Sequence, residues 1–84
     1  MALSYGAANC TTVTKINSAK VLAITIWNND IANTLYIGFD GGVTASTGFP
    51  IPAQTAFTFD YTDVAPAGDY FGIGVSDVRW VGRT

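Results

Sequence analysis

The 84-residue sequence predicts an all-β domain, a small antiparallel β-sandwich or barrel of six or seven short strands. Three observations carry that expectation. Thr, Val and Ile are abundant, Glu is missing, and Leu, Met, Lys and Arg are sparse. Residues that stiffen at χ1 and pack well on a pleated surface therefore outnumber those that favour helix. Apolar residues recur with a period of two in several short runs. Gly, Pro, Asn and Asp break those runs at short intervals, which is the punctuation of a sandwich or barrel. No repeat, linker or charge block divides the chain, and its length is close to the lower limit for a self-supporting core, so one domain is expected.

Taken in order, residues 1–10 read as an N-terminal arm, small and polar apart from Leu3 and Tyr5, ahead of a single β-domain over residues 11–84. Residues 11–16 alternate Thr and Val as a first strand, and residues 17–19 turn the chain into the strongest strand, residues 21–27. There Leu22, Ile24 and Ile26 share the face better suited to the core, with Val21, Ala23, Thr25 and Trp27 on the other. Asn28, Asn29, Asp30 and Asn33 make a polar loop of residues that bond their own backbone. Residues 35–39 form the next strand, with Gly38 marking a bulge or a close backbone approach. Asp40-Gly41-Gly42 turns the chain. Pro50 and Pro52 remove two backbone donors, so residues 49–52 must run along an edge or as an extended loop. Residues 55–61 alternate Phe57, Phe59 and Tyr61 on one face. Residues 65–68 suit a type I turn with Pro second and Gly fourth. Residues 70–75 set Phe71, Ile73 and Val75 against Tyr70, Gly72 and Gly74, and Ser76-Asp77 separates them from a last strand, residues 78–81.

Composition excludes more than it admits. There are six Asp against four Lys plus Arg, no His, and a lone Cys10. The commonest general base and the usual nitrogen metal ligand are thus missing, and no serine or cysteine has a base beside it. The aspartates do not follow the tight spacing of a calcium loop and read as turn formers. Gly72-Ile73-Gly74 lacks the third glycine and the following helix of a dinucleotide fingerprint. No catalytic, cofactor-binding or metal-binding residue is therefore expected, and no enzyme activity. Lys15, Lys20, Arg79 and Arg83 in an acidic chain cannot make a phosphate-neutralising face, so nucleic acid is not an expected partner. Residues 1–9 have no basic start or apolar run of a signal peptide, and residues 21–27 are too short to span a bilayer. One cysteine cannot make an internal disulfide.

The remaining signal is surface chemistry. Hydrophobic residues make up 49% of the chain, mean hydropathy is +0.30, and 12% of residues are charged, against about 25% charged in ordinary soluble domains. Part of the surface is therefore expected to be covered by other chains. Most aromatics of so small a domain must fill the core, and Phe39, Phe57, Phe59 and Phe71 suit that role. Trp27 and Trp80 fall on the faces opposite those chosen for the core, where exposed Trp and Tyr serve as interface anchors or sugar-stacking platforms. The residues expected at a protein interface are Leu3, Tyr5, Trp27, Tyr36, Phe49 and Trp80.

The order of short motifs also resembles a small β-module recurrent in tailed-bacteriophage virion proteins. The matching pieces are Ile24-Thr25-Ile26-Trp27-Asn28-Asn29, Asn33-Thr34-Leu35-Tyr36-Ile37-Gly38, Val43-Thr44, Gly48-Phe49-Pro50-Ile51 and Asp77-Val78-Arg79. Each is short, so the resemblance lies in their order and spacing over residues 21–81. It departs from the module at Trp27, where a polar residue is usual, and at Ala53-Gln54, where a Pro-Gly turn is usual. It implies a non-enzymatic virion part, foremost a capsid decoration or cement protein bridging shell subunits, made in the host cytoplasm and located in the phage particle. The implied partners are the major capsid protein or another virion protein and further copies of the chain, a trimer being favoured, with no membrane. A tail, spike or head–tail connector component, or a carbohydrate- or receptor-binding module, is the alternative.

Overall fold

The computed structural model describes residues 3–18, 21, 23–60 and 69–83. Leu22, Tyr61 and the turn expected at residues 65–68 lie outside the described residues. Eight strands follow in chain order: β1 Leu3–Cys10, β2 Thr14–Lys15, β3 Ala23–Asn28, β4 Leu35–Gly38, β5 Phe49–Ile51, β6 Thr55–Asp60, β7 Phe71–Ile73 and β8 Val75–Arg83. They form two four-stranded antiparallel sheets, ordered β1-β8-β3-β6 and β2-β7-β4-β5. The all-β class stands, as two sheets rather than a closed barrel and with more strands than expected among the described residues. No helix among the described residues is long and apolar enough to cross a membrane.

The two sheets meet through one core. The first contributes Cys10, Ile24, Ile26, Phe59, Val75, Val78 and Trp80, the second Leu35, Ile37 and Ile51, and Ile16, Val21 and Tyr70 join them from the connections. Ile24 and Ile26 point inward and leave Thr25 and Trp27 on the outer face, as the period-two pattern of β3 requires. Two buried amides fix the fold, one across the layers and one beside the β2–β7 pair. Asn28 donates from Nδ2 to the carbonyls of Asn33 and Ile51, each at 2.9 Å, and accepts from the Asp30 N–H at 3.0 Å. Asn17 accepts the Tyr70 N–H at 2.9 Å. A buried amide with its bonds made fixes geometry, whereas an unpaired one would cost about 1–3 kcal/mol.

Several expectations need correcting. Residues Leu3–Cys10 are no arm: they pair along their length with β8, Leu3 opposite Arg83 through Ala8 opposite Val78. The first expected strand shrinks to β2, two residues long. The break between the last two strands falls at Gly74, not at Ser76-Asp77. Gly74 has φ +118°, and a Cβ there would lie 2.6 Å from the Thr34 carbonyl oxygen, so only glycine fits. Val75 therefore begins a nine-residue β8 that runs through Ser76 and Asp77.

Of the phenylalanines expected inside, only Phe59 is buried. Phe71 is half-buried, and Phe39 and Phe57 are largely exposed. Strand β7 instead turns Gly72 to the core, where the side chains of Ile16, Leu35 and Cys10 close over it and a Cβ would be crowded at 3.0–3.2 Å. The close approach expected at Gly38 is present, since a Cβ there would meet Val43 Cβ at 2.4 Å. Pro50 lies in β5, an edge strand, where its missing N–H costs no ladder bond.

Candidate interaction surface

Strand register lays out the outer face of the first sheet as rows of neighbours. One row runs Leu3, Arg83, Ala23, Asp60; the next runs Tyr5, Val81, Thr25, Thr58; the third runs Ala7, Arg79, Trp27, Ala56. Leu3 is 70% exposed, Tyr5 82% and Val81 43%. The face is apolar and neutral through its middle, with charge confined to its ends and to Arg79. The Thr25 and Thr58 hydroxyls bond each other at 2.8 Å across β3 and β6.

Trp27 is held at one side of the face by a polar chain. Its indole N–H donates to Asn29 Oδ1 at 2.9 Å, Asn29 Nδ2 donates to Asp77 Oδ2 at 2.9 Å, and Arg79 Nε donates to Asp77 Oδ1 at 2.8 Å. The Arg79 and Asn29 bonds hold the Asp77 carboxyl below its ordinary value. Trp27 is thus a half-buried indole with its polar edge satisfied inside the molecule, and its carbon face borders a shallow recess with Arg79 and Val81.

The expected interface residues divide among three places. Leu3, Tyr5 and Trp27 share the outer face of the first sheet. Tyr36 is half-buried on the outer face of the second, opposite Ile73 and Pro50. Phe49 sits where the sandwich opens between β5 and β6, its ring 4.7 Å from that of Phe57 and 5.7 Å from that of Phe59. Trp80 is corrected: it is 4% exposed and faces the core. Val78, Trp80 and Gly82 are the inward set of β8, so the outward partner of this alternation is Val81, the residue that sequence reasoning missed. The alternation slips where β8 carries an extra residue between Val75 and Val78 against Cys10 and Ala8 of β1, so counting by twos from the buried Val75 would place Val81 inward, and only the register shows it facing out. Ile31, 87% exposed in the loop after β3, was legible as an apolar residue among turn formers and was passed over.

Chemistry is sparse elsewhere. The Asp30 carboxyl accepts the Ala32 and Asn33 N–H groups, which keep it ionised, and Asp40 accepts the Gly42 N–H at 2.8 Å, so both act as turn formers. No group of His, Cys, Asp or Glu among the described residues could hold a metal ion. Burial pushes the Cys10 thiol up to about 11, which leaves it protonated and inert at neutral pH. An open groove of about 610 Å³ beside β4 and β5 is walled by Phe39, Val43 and Phe49 with glycine backbone between them, and it offers no acid–base pair. Compared with known protein families, with curated proteins and with solved structures, the chain matches none.

Proposed function

We propose that the chain is a non-enzymatic structural protein of a bacteriophage virion, a capsid decoration or cement protein that bridges and stabilises shell subunits. The observation that carries this reading is the amount of large apolar side chain left outside an 84-residue fold: Leu3, Tyr5, Ile31, Phe39, Phe49, Phe57 and Val81 are all exposed. A lone domain this small usually keeps a better charged surface, whereas a subunit clasped between neighbours has such residues covered. The ordered motifs that resemble the phage β-module supply the setting. In that setting no reaction is needed. Each apolar contact laid across a seam between shell subunits contributes about 25 cal/mol per Å² buried, and many copies stabilise the shell by mass action. The partners are the major capsid protein or another virion protein, and copies of the chain itself.

Quantitative mass spectrometry of purified particles of the phage that encodes the chain tests this. Peptides of the chain in numbers comparable to the major capsid protein support a decoration role. A few copies per particle would move it to the tail, spike or connector, and absence from the particle would overturn the reading.

A further inference from the structure

Strand β1 is an edge strand without the charge, proline or brevity that keep edges apart; its one irregularity against β8 is the register shift near its end, between Ala8 and Cys10. It occupies one end of the first sheet, and β8 is its one ladder partner among the described residues. Half of the N–H and C=O groups of an antiparallel edge strand point away from its partner, so β1 turns a row of backbone groups away from β8 that no second strand among the described residues pairs with, while the Cys10 carbonyl at its end accepts the Gly74 N–H at 2.7 Å. Natural edges are commonly blunted by Lys, Pro, inward charge or brevity. β2 is two residues long and carries Lys15, β5 is three residues long and carries Pro50, and β6 ends in Asp60. β1 reads Leu-Ser-Tyr-Gly-Ala-Ala-Asn-Cys, with no charge and no proline.

We infer that β1 pairs antiparallel with β1 of a second copy around a twofold axis at Gly6, joining two four-stranded sheets into one. The occupant follows from the strand itself. A twofold at Gly6 sets that residue against its own copy and pairs every other residue of β1 with one of the same strand, so any charge on this edge would recur across the seam, and β1 has none. The regular ladder runs from Leu3 to the register shift between Ala8 and Cys10, and the midpoint of residues 3–9 is Gly6, so this register pairs the most residues. It sets Tyr5 beside Ala7 of the other copy on the outer face, large against small. On the inner face it brings together Ser4, Gly6 and Ala8, all small enough to meet without clash. Residues 3–9 span roughly 23 Å and the molecule is 17 Å through its thinnest direction. The contact therefore buries on the order of 400 Å² a side, the size of a weak, concentration-dependent dimer. This inference is independent of the virion reading and differs from the trimer that the phage resemblance implies.

Sedimentation equilibrium of the full chain, from low micromolar to near-millimolar concentration, tests it beside Tyr5→Lys and Ala7→Lys. Both positions are exposed and outward, so the variants keep the core, and unchanged thermal unfolding at low concentration verifies this. The expected result is a monomer–dimer equilibrium whose dissociation constant rises about tenfold or more in each variant. Hydrogen exchange gives a second readout: amides within residues 3–9 gain protection at high concentration and lose it on dilution, while those of β6 do not change. A monomer throughout the range, a trimer, or a dimer indifferent to both lysines would overturn the pairing.

Discussion

Strands β1 and β5 both end a sheet, yet they are held and finished in different ways. β5 is short, carries Pro50, and is pinned from across the sandwich: the buried Asn28 amide grips the Ile51 carbonyl, and Phe49 packs on Phe57 and Phe59 of the opposite sheet. β1 is long and uncharged, with small residues facing inward and the Trp80 indole against its Gly6. A Cβ on Gly6 would lie 3.0 Å from Trp80 Nε1, so the ring rests against the backbone of β1 itself. One edge is thus sealed by cross-sheet bonds and the other is left open on an aromatic shelf. An edge can be stable within its own fold and still be unfinished toward a neighbour.

The largest expected effect comes from removing that shelf. Trp80→Ala should destabilise the fold by about 3–5 kcal/mol, with amides of β1 losing exchange protection before those of β3. Denaturant unfolding measures the first and hydrogen exchange the second. A loss under about 1 kcal/mol would mean that β1 is held by its ladder alone. Next is the bond that seals the other edge. Asn28→Ala strands the buried Ile51 carbonyl and frees the part-buried Asn33 carbonyl and Asp30 N–H, and should cost about 1–3 kcal/mol. Its signature is early loss of protection in β4 and β5, leaving β1 unaffected. Uniform loss across both sheets would show that the two edges are not separately supported.

How far the sequence carries this contrast depends on the residue. The inward Ile24 and Ile26, the edge position of Pro50 and the turn aspartates follow from period-two alternation and backbone chemistry, which are local. The strand β1 did not follow, because Ser4, Gly6 and Ala8 give no apolar alternation. Gly6 is small where the Trp80 indole lies against it, a contact made across more than seventy positions of chain. The inward orientation of Trp80 was not legible either, because the alternation of β8 slips between Val75 and Val78, opposite Cys10 and Ala8 of β1. Phe39 and Phe57 were expected inside on size alone. Both rings instead pack from the margin onto Phe59, at 6.0 and 4.9 Å, and no local pattern records that. At the interaction surface, Leu3, Tyr5 and Trp27 were legible as candidates, but that they share one face required the register of β1, β8 and β3.

A smaller effect sharpens the comparison at β5. Pro50→Val restores a backbone donor on the edge side and should change stability by no more than about 0.5 kcal/mol. Because β5 is only three residues long, self-association by light scattering should not rise. A marked rise in mass would show that proline alone, rather than shortness and cross-sheet packing, keeps this edge closed.

The smallest effect concerns the polar chain that positions Trp27 on the open side of the molecule. The Asp77 carboxyl is held below its ordinary value of 3.8 by the Arg79 and Asn29 hydrogen bonds. A group whose folded value is depressed contributes stability that is present above its unfolded value and is lost as pH falls through the folded one. Asp77 therefore adds a little at neutral pH, and its contribution fades from about 3.8 downward. Asp30 behaves in the same direction, through the Ala32 and Asn33 N–H groups. Because Arg79 and Asp77 are solvent-accessible, salt screens much of the pair. Asp77→Asn should flatten the acid limb of the unfolding curve slightly while leaving Asp30 to account for the rest. It should also alter Trp27 fluorescence, since Asn29 loses its charged acceptor while still receiving the indole N–H. If the acid limb were unchanged and the fluorescence alone shifted, Asp77 would be a positioning group for the Trp27 face and not a contributor to the fold. The open side would then depend for its stability on Trp80 and the β1 ladder alone.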